Sequence, residues 1–184
     1  MSFEGIALRS LSSETLASAA GFSCGRESLD HFIHQEALDF HKAALTFTTL
    51  VYMPGDEKIA GYFSLSSDGV RLTTFEMGEL GLNFEVELSF FPAVKITRFA
   101  ISGKYQRAGL GLHLIKTIEG IAYTDYVAAR VLTVDAFNAE DVLNFYRKAQ
   151  FKECLNSAKR RGSQRPETIH MYKDIYAPEV AVRG

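Results

Sequence analysis

Two hydrophobic rhythms alternate along the chain. Leu29, Phe32, Ile33, Ala37, Phe40 and Ala44 recur at helical spacing behind Ser28, which is suited to cap a helix there. Leu11–Ala20 predicts a shorter helix with Ser12 or Ser13 as its cap. Thr46–Met53 is rich in β-branched and aromatic residues and predicts a strand. Pro54-Gly55-Asp56 turns it, and Ile59–Ser66 returns as the second strand of a hairpin. Val70–Leu88 follows neither rhythm and fits a short helix or an irregular excursion. Ala93–Ile101 predicts a strand. A helix follows from Gly109 to about Ala128, with Leu114, Ile115, Ile118, Ile121 and Ala122 inward. Val131–Phe137 is a strand. Ala139–Gln150 is a helix, with Asn138 as N-cap and Asp141 placed for a capping box. Thr168–Ile175 is a last strand. The strand–helix–strand run predicts parallel strands joined by a right-handed crossover. The whole predicts an α/β chain with a single mixed central sheet flanked by helices, as one domain over residues 1–184.

The junction inside that crossover carries chemistry. Gln106-Arg107-Ala108-Gly109-Leu110-Gly111 lies between the strand and its helix. A glycine-rich turn there points backbone N–H groups at one place, at the positive end of the helix dipole, which suits a phosphate. No Lys-Ser or Lys-Thr pair follows the glycines, so the turn is not a P-loop. Leu112-His113-Leu114 follows Gly111, so the third glycine of a dinucleotide fingerprint is missing.

Composition adds bounds. The 184 residues suit one core, 47% are hydrophobic, and no apolar run approaches membrane-spanning length. The first residues form no signal peptide, and Cys24 and Cys154 form no redox or metal motif, which predicts a cytoplasmic protein with reduced thiols. His31, His34 and His41 lack the companions of a metal site and are expected to face solvent, with no metal bound. The net charge of −2 is unevenly spread. Arg147–Arg165 holds seven basic residues and one acid, against 13 basic and 21 acidic elsewhere. Such a segment is either a solvated loop or a contact for phosphates.

The pattern Gln106, Gly109, Gly111 resembles the pyrophosphate-binding loop of the GCN5-related N-acetyltransferases (GNAT). Its surroundings extend the likeness over Ala93–Phe151: Thr97-Arg98-Phe99-Ala100-Ile101 ahead of the loop, Asp135-Ala136-Phe137-Asn138 after the crossover, then Asn144-Phe145-Tyr146 and Phe151. Gln150 stands where that family usually has glycine. In the first half, Phe22-Ser23-Cys24-Gly25, Leu29-Asp30-His31-Phe32 and Gly61-Tyr62-Phe63-Ser64-Leu65 are similar to the acetyltransferase-toxin branch of toxin–antitoxin systems.

The resemblance implies the GNAT fold and transfer of an acetyl group from acetyl-CoA to a primary amine by direct attack. In the toxin branch that amine belongs to aminoacyl-tRNA, and a ribbon-helix-helix antitoxin is the partner. It implies Tyr146 as general acid toward the departing thiolate, a role suited to a group protonated at neutral pH. It implies that backbone groups of Phe99, Ala100 and Ile101 pair with the pantetheine arm, and that N–H groups of Arg107, Ala108, Gly109, Leu110, Gly111 and Leu112, in the loop opened by Gln106, hold the pyrophosphate. Asn138 contacts the arm or only caps a helix. Phe145 packs beside the arm or only in the core. Asp135, Glu85 and Glu87 are possible bases. Arg98 reaches an acceptor phosphate or pairs with Glu85 or Glu87, and Lys159, Arg160, Arg161 and Arg165 are possible tRNA contacts. A small-molecule or peptide amine acetyltransferase and a non-catalytic acetyl-CoA sensor are the alternatives, and a homodimer is compatible with the family.

Overall fold

The computed structural model of the chain describes residues 3–82, 88–123, 127–155 and 166–176. Seven strands form one sheet in the order β1-β2-β3-β4-β5-β7-β6. They are β1 (Ala7–Ser10), β2 (Phe47–Tyr52), β3 (Gly61–Val70), β4 (Phe91–Ile101), β5 (Val131–Phe137), β6 (Lys152–Glu153) and β7 (Thr168–Asp174). The helices are α1 (Glu27–His31), α2 (Ala37–Lys42), α3 (Thr74–Glu79), α4 (Leu110–Ala122) and α5 (Glu140–Lys148). β4 and β5 are neighbours joined through α4, the long connection that parallel strands require. None of the described helices is long and apolar enough to cross a membrane.

Contacts gather into two compact units, Met1–Ser66 with Ile96–Thr117, and Ser67–Lys95 with Ile118–Gly184. In the first, β1 pairs antiparallel with β2, and β2 with β3 through Phe47↔Leu65 to Val51↔Gly61. α1 runs into α2 through a π turn at Phe32–Glu36. The wider turn lets Phe32, Ile33 and Ala37 all face the core, where Phe32 stacks on Tyr62 at 6.2 Å. The Tyr62 hydroxyl donates to the Leu29 carbonyl at 2.7 Å, so this large buried ring carries no orphaned polar atom.

Gly61, at the start of β3, lies tight against the end of β4. A Cβ there would lie 2.6 Å from the Ala100 carbonyl oxygen, a backbone atom that cannot swing away. Beside it, the Ser102 N–H donates to the Ala60 carbonyl at 2.8 Å.

In the second unit, β5, β7 and β6 pair antiparallel. Val70, Phe91, Val131, Cys154 and Tyr172 form part of its core. α3 fills the stretch that has no clear rhythm, and it starts with a capping box: Thr73 Oγ1 accepts from the Glu76 N–H at 3.2 Å while Glu76 Oε2 accepts from the Thr73 N–H at 2.7 Å. The other Glu76 oxygen accepts from the Leu155 N–H at 2.9 Å, so a buried carboxylate joins α3 to the chain after β6.

Several local expectations are corrected. Leu11–Ala20 holds only a 3-10 turn, Thr15–Ala19, where Ser12 and Thr15 exchange side-chain bonds to each other's N–H. Arg26, not Ser28, precedes α1, and Asp30 ties the preceding loop by accepting from the Cys24 N–H and the Ser23 hydroxyl. Ala44 lies beyond α2 at φ +54° and is exposed. α4 ends at Ala122, which leaves Ile121 46% exposed. Of His31, His34 and His41, only His31 is exposed; His34 Nε2 donates to the Phe22 carbonyl at 3.0 Å, and His41 Nδ1 accepts from the Thr48 N–H at 3.0 Å. The two shortest strands, β1 and β6, carry no alternation to read.

α5 closes in a Schellman turn. The Phe151 N–H donates to the Tyr146 carbonyl and the Gln150 N–H to the Arg147 carbonyl, both at 2.9 Å, with Gln150 at φ +69°. Gln150 therefore keeps the turn that a glycine would make, at a cost of about 1 kcal/mol for its left-handed backbone.

Gly61→Ala is expected to lower stability by about 1–3 kcal/mol, because the Ala100 carbonyl must move to make room. An unchanged urea midpoint would contradict the close approach. Gln150→Gly is expected to raise stability by up to about 1 kcal/mol, net of glycine's greater unfolded-state freedom. A lower melting temperature would count against the strain assigned to residue 150.

Candidate active site

The glycine turn is built within the first unit. β4 delivers Phe99, Ala100 and Ile101, and Gly103–Tyr105 makes one 3-10 turn. Tyr105 is buried and its hydroxyl donates to Asp56, which also pairs with Lys104 at 3.3 Å. The Tyr105 and Lys104 bonds hold Asp56 below the ordinary carboxylate range. Arg107 then adopts φ +60° and Gly109 φ +90°, and α4 begins at Leu110. Two left-handed residues within three positions reverse the chain tightly and leave the first N–H groups of α4 at the turn. The His113 N–H closes the first helical bond onto the Gly109 carbonyl at 3.2 Å.

Each loop residue has a distinct place. The Gln106 amide nitrogen donates to the Cys24 carbonyl at 2.8 Å and to the Ile101 carbonyl at 2.9 Å. Its side chain therefore braces the turn from behind. Leu110 is buried and offers only its backbone, whereas Leu112 is exposed. Gly111 sits in the first turn of α4. The Phe3 ring lies 3.5 Å from where a Gly109 Cβ would stand and 5.2 Å from the His113 ring. Arg98 donates to the Thr97 carbonyl at 2.8 Å, and its guanidinium lies 4.7 Å over the Phe32 ring. Glu85, Glu87, Lys159, Arg160, Arg161 and Arg165 lie outside the described residues.

Tyr146 belongs to the second unit. It is 6% exposed, with Phe145 edge-on at 5.0 Å and Phe151 edge-on at 5.3 Å. The Schellman turn fixes it from the backbone side, because its own carbonyl receives the Phe151 N–H. Among the described residues, no acceptor engages its hydroxyl. Burial pushes the phenol well above its ordinary range, so it stays protonated throughout neutral pH.

Asn138 does not cap α5. That helix is preceded by Ala139 without a side-chain cap, and Asn138 Nδ2 donates to the Pro166 carbonyl at 3.0 Å. Asp135 lies between Lys95, at 2.6 Å, and His170, at 2.8 Å. The hydrogen bond from His170, followed by that from Lys95, holds its carboxyl well below the ordinary range, which makes Asp135 itself a weak proton acceptor. His170 is the residue that the sequence alone does not single out. It lies in a strand of ordinary alternation, and only the β5–β7 register sets it opposite Asp135.

No family model matches the chain, and no curated protein does. Solved structures do. AtaT complexed with acetyl-methionyl-tRNAfMet is 17% identical, with a TM-score of 0.68 over 92% of this chain and 94% of that one. AtaTR bound with AcCoA gives the same identity, score and coverage. A tyrosine-to-phenylalanine mutant of the toxin AtaT, bound to the C-terminus of the antitoxin AtaR, is 17% identical over 94% of both chains, with a TM-score of 0.66. With seven strands in one mixed sheet, a helical crossover from β4 to β5 and backbone likeness along nearly its whole length, the chain has the GNAT fold.

Proposed function

We propose that the chain acts as a single acetyl-CoA-dependent N-acetyltransferase domain whose acceptor is the amino group of aminoacyl-tRNA. The observation that carries this reading is the turn ahead of α4, where Arg107 and Gly109 are left-handed and the next N–H groups open a helix of 13 residues. That is an anion cradle at the end of a strand, and it suits a pyrophosphate. Acetyl-CoA supplies the activated acyl thioester. The backbone of Phe99, Ala100 and Ile101 holds its pantetheine arm as an added strand, and Arg107 to Leu112 hold its pyrophosphate. Gln106 serves the turn by bracing it. Asn138 and Phe145 flank the arm.

Tyr146 donates the proton that the departing sulfur takes up. A phenol keeps its proton at neutral pH, so Tyr146 holds a proton ready for the sulfur as the bond breaks, and its aromatic neighbours Phe145 and Phe151 hold the ring in place. The acceptor class is supported by whole-length likeness to a toxin solved with acetyl-methionyl-tRNAfMet. The basic residues Lys159, Arg160, Arg161 and Arg165, together with Arg98, are assigned to phosphates of that acceptor. A ribbon-helix-helix antitoxin and a second copy of the chain are the protein partners of this reading, and the cytoplasm is its site of action.

Incubation with acetyl-CoA and charged tRNA, followed by mass analysis of the aminoacyl end, is expected to show one added acetyl group. Tyr146→Phe is expected to lower kcat about 10²–10⁴-fold while leaving the Kd for coenzyme A, read by calorimetry, unchanged. Turnover equal to wild type would remove Tyr146 from the chemistry. Changing Lys159, Arg160, Arg161 and Arg165 together to Gln is expected to weaken tRNA binding and flatten its salt dependence, by about 0.7–0.9 in log–log slope per lost phosphate contact. Filter binding across a salt series measures this, and an unchanged slope would assign the segment to solvent.

A further inference from the structure

Phe3, near the start of the chain, lies against the glycine turn ahead of α4, within the first unit. Its ring edge is 3.5 Å from the place of a Gly109 Cβ. Its centroid is 5.2 Å from that of the His113 ring, with the two planes inclined by 34°. Gly109 and His113 are four residues apart, so they share one face at the start of α4. A short tether fixes the Phe3 ring there. Gly5 turns the chain at φ +79° beside Pro54, and Ala7 opens β1 opposite Tyr52.

Core packing does not account for this placement. Phe3 is only half-buried, and His113 is exposed. Two aromatic surfaces therefore stand partly open to water beside the turn, and covering them is favourable. Tyr105, another ring at the turn, is already engaged. It is buried, its hydroxyl donates to Asp56, and Lys104 Nζ lies 4.7 Å over its face. Coenzyme A carries an aromatic part that suits the open pair. Its pantetheine arm leaves from one phosphate of the pyrophosphate and its adenosine from the other. An adenine thus lies one ribose away from whatever holds the pyrophosphate. A flat heterocycle gains from stacking on an aromatic face.

We propose that Phe3, with His113 beside it, forms the platform on which the adenine of coenzyme A stacks. The inference rests on the acetyl-CoA reading above, with the pyrophosphate at the turn. Phe3 is a binding residue in this scheme, remote from the reacting atoms. His113 supports the ring and widens the aromatic surface. The start of the chain is thus one wall of the cofactor site, and it holds the nucleotide end while β4 holds the pantetheine arm. The platform favours adenine-bearing acyl carriers over phosphopantetheine alone.

Calorimetry on wild type, Phe3→Ala and Phe3→Tyr tests this with three ligands, after melting curves establish that each chain is folded. They are coenzyme A; adenosine 3′,5′-bisphosphate, which has the base but no arm; and 4′-phosphopantetheine, which has the arm but no base. Phe3→Ala is expected to weaken coenzyme A and the bisphosphate about 5–150-fold and to leave phosphopantetheine unchanged. Phe3→Tyr is expected to bind all three as wild type does. In wild type, where no substitution disturbs the fold, NMR is expected to show Overhauser effects between the adenine protons of bound coenzyme A and the Phe3 ring. Wild-type affinity of Phe3→Ala for coenzyme A, an equal loss for phosphopantetheine, or absence of those Overhauser effects overturns the proposal while leaving the acetyltransferase reading standing. A wild-type chain that binds no coenzyme A overturns both.

Discussion

A side chain at residue 61 would collide with the Ala100 carbonyl, and its absence lets β3 and β4 close on each other where β4 ends. The bond from the Ser102 N–H to the Ala60 carbonyl then holds the strand's last turn in place. The Gln106 amide bonds the Ile101 and Cys24 carbonyls from the far side. Arg107 and Gly109 can reverse the chain only from a base fixed in this way, and the start of α4 inherits its position from them. Close backbone contact, more than any side chain, sets where an anion would meet the chain.

Tyr146 is held by a different economy. The same turn that ends α5 supplies both its backbone partner and one of its aromatic neighbours, since Phe151 donates to its carbonyl and packs against its ring. Three residues of a helix terminus thus do what a separate supporting layer would otherwise do. The left-handed Gln150 between them is the strained part, and the turn persists because two backbone bonds and an aromatic contact outweigh about 1 kcal/mol of strain.

The sequence makes the strongly patterned parts legible. The β2–β3 hairpin, β4, β5, α5 and β7 emerge from alternation, turn residues and helical spacing, and the glycine turn from its place between strand and helix. β1 and β6 escape because four and two residues carry no period, and pairing with a neighbour makes them strands. The caps assigned to Ser28 and Asn138 fail for one shared reason. Asp30 takes over the loop before α1, and Asn138 turns to the Pro166 carbonyl, so tertiary partners outcompete the local motif. α3 was signalled by Thr73 and Glu76 at capping-box spacing inside an otherwise ambiguous stretch. The Asp135–His170 pair lies beyond any local pattern, because 35 residues separate its members and only strand register joins them.

The Gln106 amide reaches across 82 residues to the Cys24 carbonyl, while the N–H of that same Cys24 donates to Asp30. One residue of the loop before α1 is thus held from both sides, by the helix that follows it and by the turn ahead of α4. A change that loosens either end withdraws a hydrogen bond from the other, so the loop before α1 is part of what shapes the turn.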